Sequence, residues 1–194
     1  MRPSTLALIL PLALLGATVT PASAQSGATP AAATVAAGPA VGAPAPDFTA
    51  SWADASGPGA APLSLADYRG QVVVLAFYPK DRSSGCTAEL HKFRDEYDTL
   101  FGDGVVVLPI SVDDVESHGS WAKDDNFPFR MIADPDLTVA ELYGSKAEGR
   151  PMASRTVFVI APDGKVAWRD MRFNALSEKA YSELASAVAA ARGH

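Results

Sequence analysis

The chain has 194 residues, with 16 Lys or Arg and 22 Asp or Glu, so its formal net charge at pH 7 is −6. This length predicts one domain with a sizeable hydrophobic core. The acidic balance and the lack of any basic run exclude nucleic acid and anionic membrane surfaces as expected partners.

The first 24 residues have the pattern of a secretory signal peptide. Arg2 supplies a positive charge, residues 6–15 form an apolar core, and residues 22–24 (Ala-Ser-Ala) offer a cleavage site before Gln25. A membrane anchor is the alternative, but this core is much shorter than the roughly 20 residues that a spanning helix requires. We therefore expect an exported protein with no membrane attachment after cleavage, and the periplasm is the favoured compartment.

Residues 25–46 are rich in Ala, Gly and Pro and carry almost no charge. A segment of this composition buries too few side chains to offset the entropy lost on ordering. It is therefore predicted to be a flexible linker, and residues 47–194 to form the folded domain.

The predicted elements of this domain begin with a β-branched and aromatic run, residues 72–78, which indicates a buried strand. Apolar side chains then recur at helical spacing, from Cys86 through Leu90 and Phe93 to Leu100, before Gly102 ends the pattern. The later elements, in chain order, are a strand at 105–110, helix at 115–125, strand at 129–133, helix at 137–143, hairpin strands at 155–160 and 166–169, and a helix at 177–191.

A βαβ unit followed by a hairpin and a terminal helix is the plan of a thioredoxin-like α/β sandwich, in which helices flank a central mixed β-sheet. Right-handed crossovers place the first loop between strand and helix at the carboxyl ends of the central strands. Cys86 lies where this loop becomes helix, so the position favours a functional thiol.

Cys86 is the only cysteine of the chain, which therefore cannot form an intramolecular disulfide. A thiol is nucleophilic as the thiolate, a form that the N-terminus of a helix or a nearby cation stabilises. The alternative is that Cys86 only packs in the core, since it shares a helix face with Leu90 and Phe93, and free cysteine is often buried.

Residues 79–86 (PKDRSSGC) match the active-site pattern of the peroxiredoxins, Pro-x-x-x-Thr/Ser-x-x-Cys. The surrounding letters FYPKD, GCTAEL and FRDEY resemble the Q-type, bacterioferritin-comigratory branch of that family. Five further blocks agree, namely VGAPAPDF (41–48), LSLADYRGQVVVLAFYP (63–79), SVDDVESHGSW (111–121), IADPDLTVAELYG (132–144) and SRTVFVIAPDGKV (154–166). The resemblance extends over residues 41–191.

This resemblance implies roles for individual residues and requires neither a cofactor nor a metal. Cys86 matches the peroxidatic cysteine, and Ser83 matches the hydroxyl residue that contacts the peroxide and the sulfur. Pro79 matches the proline that shields the pocket. Arg155 matches the arginine that stabilises the thiolate and polarises the peroxide, with Arg150 as its main rival.

Another position of the first helix, Glu89, is often acidic in the family. On its own it is equally consistent with a solvated carboxylate near a helix N-terminus.

Two positions depart from the family pattern. Ser84 stands where this branch usually has proline, and His91 stands where many members have a resolving cysteine. The chain therefore resembles a one-cysteine peroxiredoxin, which depends on an external thiol from a thioredoxin-like protein, a glutaredoxin-like protein or a small molecule. His91 is predicted to be an exposed helix residue, the alternative being an acid or base in recycling. The expected assembly is a monomer or a homodimer.

The predicted function is a thiol-dependent peroxidase that reduces hydrogen peroxide or organic hydroperoxides through a sulfenic acid on Cys86. A non-enzymatic redox sensor or binding module on the same fold is the alternative. A thiol–disulfide oxidoreductase normally uses two cysteines. Ser111, Asp113 and His118 superficially suggest a hydrolase triad, but no Gly-x-Ser-x-Gly elbow accompanies them. The histidines and the cysteine lack metal-ligand spacing.

Overall fold

The structure is a computed structural model that describes residues 37–193. The predicted signal peptide, residues 1–24, and residues 25–36 of the predicted linker lie outside the described residues. Within the described part of the chain, none of the helices combines the length and the apolar composition needed to cross a membrane.

From residue 72 onward, strands and helices follow one another in the order that the sequence patterns predict, whereas the four short strands before it were not predicted. The strands are Thr49–Ala50 (β1), Trp52–Asp54 (β2), Gly57–Pro58 (β3), Leu63–Ser64 (β4), Val72–Phe77 (β5), Val105–Ser111 (β6), Met131–Ala133 (β7), Thr156–Ile160 (β8) and Val166–Asp170 (β9). The helices are Ser84–Asp95 (α1), Tyr97–Leu100 (α2), Val115–Asp125 (α3), Thr138–Leu142 (α4) and Glu178–Ala191 (α5), and a 3-10 turn spans Leu65–Tyr68.

A seven-stranded mixed sheet has the strand order β3-β2-β7-β6-β5-β8-β9. β5, β6 and β7 are parallel neighbours, whereas β8 is antiparallel to both β5 and β9. β1 and β4 form a separate antiparallel pair. The central mixed sheet with flanking helices agrees with the predicted architecture.

The central strand β5 is buried at every position, because both faces of the sheet are covered. Its side chains alternate between two hydrophobic clusters. Val74 and Ala76 belong to the cluster that also contains Cys86 and Leu90 of α1, while Leu75 and Phe77 face the other cluster. Cys86 is thus held against a strand that cannot shift without disturbing both cores.

One predicted helix differs from the structure in its extent. The helical spacing continued to Leu100, but the backbone leaves helical geometry at Glu96 (φ −111°, ψ 23°), so that α1 ends at Asp95 and the short α2 follows. Tyr97 is turned to donate its hydroxyl to the carbonyl oxygen of Val105, at 2.7 Å. Spacing alone did not reveal this break, because the apolar residues of both helices pack into one core.

Residues 37–46, the second half of the predicted linker, pack against the domain. The Gly42 N–H donates to the Val166 carbonyl at 2.8 Å, and the Val166 N–H donates to the Ala43 carbonyl at 2.9 Å. Ala45 is buried, and Arg169 donates to the Pro39 carbonyl at 2.7 Å. Flexibility is therefore the wrong description for this half. The composition predicted flexibility because small residues bury few side chains. Here they are ordered through their backbone, which lies along the free edge of β9.

Candidate active site

The candidate site lies where the end of β5 meets the beginning of β8. These strands are antiparallel, and Phe77, the last residue of β5, is paired with Thr156, the first residue of β8. The residue just before β8, Arg155, therefore lies beside the loop that follows β5. The register of two central strands brings distant parts of the chain together.

Cys86 is the third residue of α1 and is completely buried. Ser83 precedes the helix in an extended conformation, and its carbonyl accepts the Thr87 N–H at 2.8 Å. The sulfur thus lies in the first helical turn, where backbone N–H groups lack partners within the helix and favour negative charge. Cys86 packs with Leu90 in the core, and it also contacts a charged group.

That charged group is the guanidinium of Arg155. Its Nη2 donates to Cys86 Sγ at 3.4 Å, and its Nη1 donates to Glu89 Oε2. A guanidinium stays protonated and offers several donors in fixed geometry, so it can stabilise both a thiolate and charge developing on a nearby oxygen. The rival, Arg150, is exposed in a turn in which its N–H donates to the Ala147 carbonyl.

Glu89 is fully buried one turn after Cys86. Burial raises the pKa of its carboxyl to about 7, although the charge of Arg155 and its hydrogen bond act in the opposite direction. Its Oε1 has no hydrogen-bond partner among the described residues. The interpretation of Glu89 as a solvated carboxylate is therefore wrong, and its charge is tied to that of Arg155.

Pro79 and Ser83 lie in the loop between β5 and α1. Pro79 is half-buried and follows the buried Tyr78. The exposed Ser83 donates its hydroxyl to the carbonyl oxygen of Lys80, at 3.1 Å. The structure thus brings Cys86 and Arg155 into contact, whereas the Ser83 hydroxyl binds within its own loop.

Gly85 is a residue that sequence reasoning did not single out. A Cβ atom at this position would lie 3.2 Å from Arg155 Nη2. The missing side chain therefore leaves room for the guanidinium to reach the sulfur over the first turn of α1. The sequence signal that could have identified Gly85 is its position directly before Cys86.

His91 lies on a different side of α1 from the sulfur. Its Nε2 is 2.9 Å from Asp125 Oδ2, and its ring contacts Phe127 edge-on. The side chain is half-buried at the interface of α1 and the end of α3, rather than exposed as predicted. Ser84, the other departure from the family pattern, is exposed at the first position of α1.

The three residues that suggested a hydrolase triad are not connected as a triad, because His118 contacts neither of the other two through a hydrogen bond. Ser111 donates to Asp113 at 2.8 Å, whereas the buried His118 ring faces the carboxylate of Asp81 at 2.9 Å and the carbonyl oxygen of Ile132 at 3.1 Å. Among residues 37–193, no three His, Cys, Asp or Glu side chains are grouped so that they could hold a metal ion.

Known proteins share this sequence pattern. The model of the AhpC/TSA family matches residues 41–169. A bcp-type peroxiredoxin of Coxiella burnetii is 42% identical over 110 residues, which are 54% of this chain and 73% of the relative. Peroxiredoxin Bcp of Bacillus subtilis is 32% identical over 118 residues, which are 57% of this chain and 75% of the relative.

Solved structures share the fold as well. Peroxidoxin BcpB of Mycobacterium tuberculosis matches with a TM-score of 0.67 and 27% identity, over 79% of this chain and 99% of that chain. Together with the mixed sheet and its flanking helices, this similarity confirms the predicted thioredoxin-like sandwich.

Proposed function

Because the chain belongs to the AhpC/TSA family, we propose that it is a thiol-dependent peroxidase in which Cys86 attacks hydrogen peroxide or an organic hydroperoxide. The observation that carries this proposal is the contact between Arg155 Nη2 and Cys86 Sγ at the start of α1. A buried sulfur that only packed in the core would not need a guanidinium beside it.

The chemical step is a displacement at oxygen. The Cys86 thiolate forms an S–O bond with one peroxide oxygen while the O–O bond breaks, and hydroxide or alkoxide leaves with the electron pair. The leaving group takes up a proton and becomes water or an alcohol, and the sulfur becomes a sulfenic acid. Arg155 and the N–H groups of the first helical turn stabilise the charge that develops on the oxygens.

Recycling requires thiols from outside the chain, because Cys86 is its only sulfhydryl. One external thiol displaces the sulfenic oxygen as water and forms a mixed disulfide, and a second thiol then releases Cys86. A thioredoxin-like protein, a glutaredoxin-like protein or a small thiol fits this role. The chain acts in this scheme as a monomer or a homodimer.

The loop before α1 supplies two further roles. Pro79 shields the pocket from bulk water, and Ser83 turns its hydroxyl from the Lys80 carbonyl toward a bound peroxide.

The sequence pattern of residues 1–24 supports export, with the periplasm as the compartment where the protein meets peroxide.

Rapid mixing of the reduced protein with peroxide, followed by detection of sulfenic acid, tests this function. Oxidation should be orders of magnitude faster than for free cysteine and should vanish in Cys86→Ser. A rate equal to that of free cysteine would rule out the peroxidase. Rapid oxidation that no external thiol reverses would favour the redox sensor instead. A mixed disulfide trapped on Cys86 would identify the reductant.

A further inference from the structure

The loop that carries Pro79 and Ser83 contains an unusual backbone conformation. Arg82 has a φ of 57°, in the left-handed region that residues other than glycine rarely adopt. Such a conformation persists only when its surroundings hold it in place. The contacts of this loop therefore show what determines the position of the first turn of α1.

The strongest of these contacts are made by Asp81, which is buried despite its charge. Its carboxylate accepts hydrogen bonds from the Tyr78 and Ser117 hydroxyls, each at 2.7 Å. It also faces His118 Nδ1, at 2.9 Å from Oδ2. The Asp81 N–H donates to Asp113 Oδ2 at 2.7 Å, so the backbone of the loop is fixed as well.

The ring of His118 faces an acceptor at each nitrogen. Nε2 lies 3.1 Å from the Ile132 carbonyl, which only accepts, so Nε2 carries a proton. Nδ1 faces the Asp81 carboxylate, so a second proton lies between these groups. Although burial raises the pKa of Asp81, hydrogen bonds from His118, Tyr78 and Ser117 hold it below its ordinary value. The two buried side chains therefore form a hydrogen-bonded pair between the loop and α3.

A second contact between the loop and α3 is exposed. Arg82 Nη2 binds Asp124 Oδ2 at 2.6 Å, with 46% and 57% of the two side chains exposed. Exposed ion pairs contribute little, since solvent and salt screen them. The buried pair of Asp81 and His118, with 3% and 0% exposure, is thus the principal attachment of the loop to α3.

We propose that Asp81 and His118 are positioning residues, which clamp the loop before α1 so that Cys86 and Arg155 are aligned before peroxide arrives. This inference rests on the proposed peroxidase function. The hydrogen bond to Sγ comes from Arg155 and not from either of these side chains, so the effect is transmitted through the loop and the first turn of α1. A displacement of about 1 Å at a reacting centre can slow a reaction about 10²-fold.

Two amide substitutions separate positioning from simple loss of packing. His118→Asn places an amide nitrogen near the position of Nδ1 and keeps a donor to Asp81, whereas His118→Gln places it near Nε2 and keeps only the donor to Ile132. We expect the Gln variant to react about 10²-fold more slowly with peroxide, and the Asn variant to stay within about tenfold of wild type. Equal losses in both variants would overturn the proposal.

Alkylation of Cys86 by iodoacetamide gives an independent readout of the loop. The sulfur is fully buried while the loop before α1 is held in place. Because His118→Gln weakens that attachment, this variant should be alkylated faster than wild type. The rate should depend only weakly on urea, as expected for a local opening. Alkylation with the full urea dependence of global unfolding would contradict the clamp. Asp81→Asn, which removes the charge with little change of shape, serves if His118→Gln does not fold.

His91→Asn is the matched control, because its amide lies near the position of Nδ1 and so loses the Nε2 contact of another His–Asp pair between α1 and α3, without touching the loop. Its peroxide and alkylation rates should equal those of wild type, and changes like those of His118→Gln would overturn the proposal. If alkylation behaves as expected but wild-type Cys86 reacts with peroxide no faster than free cysteine, the clamp stands and the peroxidase function fails.

Discussion

At the scale of single residues, Arg155 divides its guanidinium between two side chains of α1. One nitrogen donates to the sulfur of Cys86, and the other donates to the carboxyl of Glu89. Because Glu89 is completely buried, its charge affects how strongly Arg155 is attracted to the sulfur. The thiol, the guanidinium and the carboxyl therefore act as one unit.

Replacement of Arg155 tests the electrostatic part of this unit. Arg155→Ala should slow the peroxide step about 10²–10³-fold, since removing one donor to a developing oxyanion typically costs about 3–4 kcal/mol of transition-state stabilisation. Rapid-mixing kinetics of sulfenic acid formation provide the measurement. Arg150→Ala, at the exposed rival position, is the control and should react like wild type. An Arg155→Ala rate within a factor of about three of wild type would exclude this role.

Glu89 should make stability depend on pH. Its pKa of about 7 in the folded protein exceeds the ordinary value of 4.5, so the folded state binds its proton more tightly. The resulting stabilisation is present below pH 4.5 and disappears as the pH rises through about 7. Between pH 4.5 and about 7, the loss of this stabilisation should lower the free energy of unfolding of the wild-type protein by about 3 kcal/mol. In Glu89→Gln this decrease should be absent.

Urea denaturation at several pH values measures this effect, with Glu116→Gln, an exposed carboxyl of α3, as the control. If the Glu89→Gln and wild-type curves remain parallel from pH 4.5 to 7, the raised pKa of Glu89 is contradicted.

At the scale of elements, the first turn of α1 leaves room for the side chain of the residue that directly precedes β8. Gly85 leaves this turn uncovered where Arg155 approaches. A methyl group there would force the guanidinium to move by a few tenths of an ångström. Helix formation, in contrast, favours alanine over glycine.

Gly85→Ala should therefore have opposite effects on stability and on reactivity. We expect the free energy of unfolding to rise by up to about 1 kcal/mol, while oxidation of Cys86 slows about tenfold because Arg155 is displaced. Denaturant titration and rapid mixing measure the two quantities. A more stable variant with an unchanged oxidation rate would show that Arg155 tolerates the extra methyl group.

The long elements could be predicted because each carries its own periodic signal. The apolar run of β5 and the helical spacing of α3 gave bounds within one residue of those observed. The short strands β1 to β4 escaped prediction, because two or three residues establish no period. The break at Glu96 also escaped, since it depends on the tertiary contacts of Tyr97 rather than on a local signal.

The parts of the candidate site that lie in short, recognisable sequence segments could be predicted. The motif around Cys86 and the block containing Arg155 indicated two residues, and the structure brings their side chains into contact. The burial of Glu89 and the partner of His118 were not predictable, because each depends on the element that packs against it. Pairings across such distances leave no local pattern.

At the scale of the whole molecule, the N-terminal residues 37–46 complete the outer edge of the sheet. Their backbone pairs with Val166, Ala45 donates to the Gly164 carbonyl, and the Tyr143 hydroxyl donates to the Pro46 carbonyl. They cover part of the free edge of β9, which would otherwise be open to pairing with another chain.

A chain that begins at residue 47 should consequently be less stable than one that begins at residue 37. Loss of several hydrogen bonds, each with a net contribution of about 1 kcal/mol, lowers the expected free energy of unfolding by about 2–5 kcal/mol. Thermal and urea denaturation of the two chains measure the difference, and light scattering reports association through β9. Equal stabilities would show that the segment only rests on the surface.

The pairing of β5 with β8 also has a consequence for the time course of folding. Cys86 and Arg155 lie 69 residues apart in the chain, and they meet only through this pairing. Contacts between such distant residues close long loops and are slow to form. A refolding chain therefore carries an unactivated thiol until β8 joins the sheet, and the onset of rapid oxidation by peroxide marks the moment at which the sheet is complete.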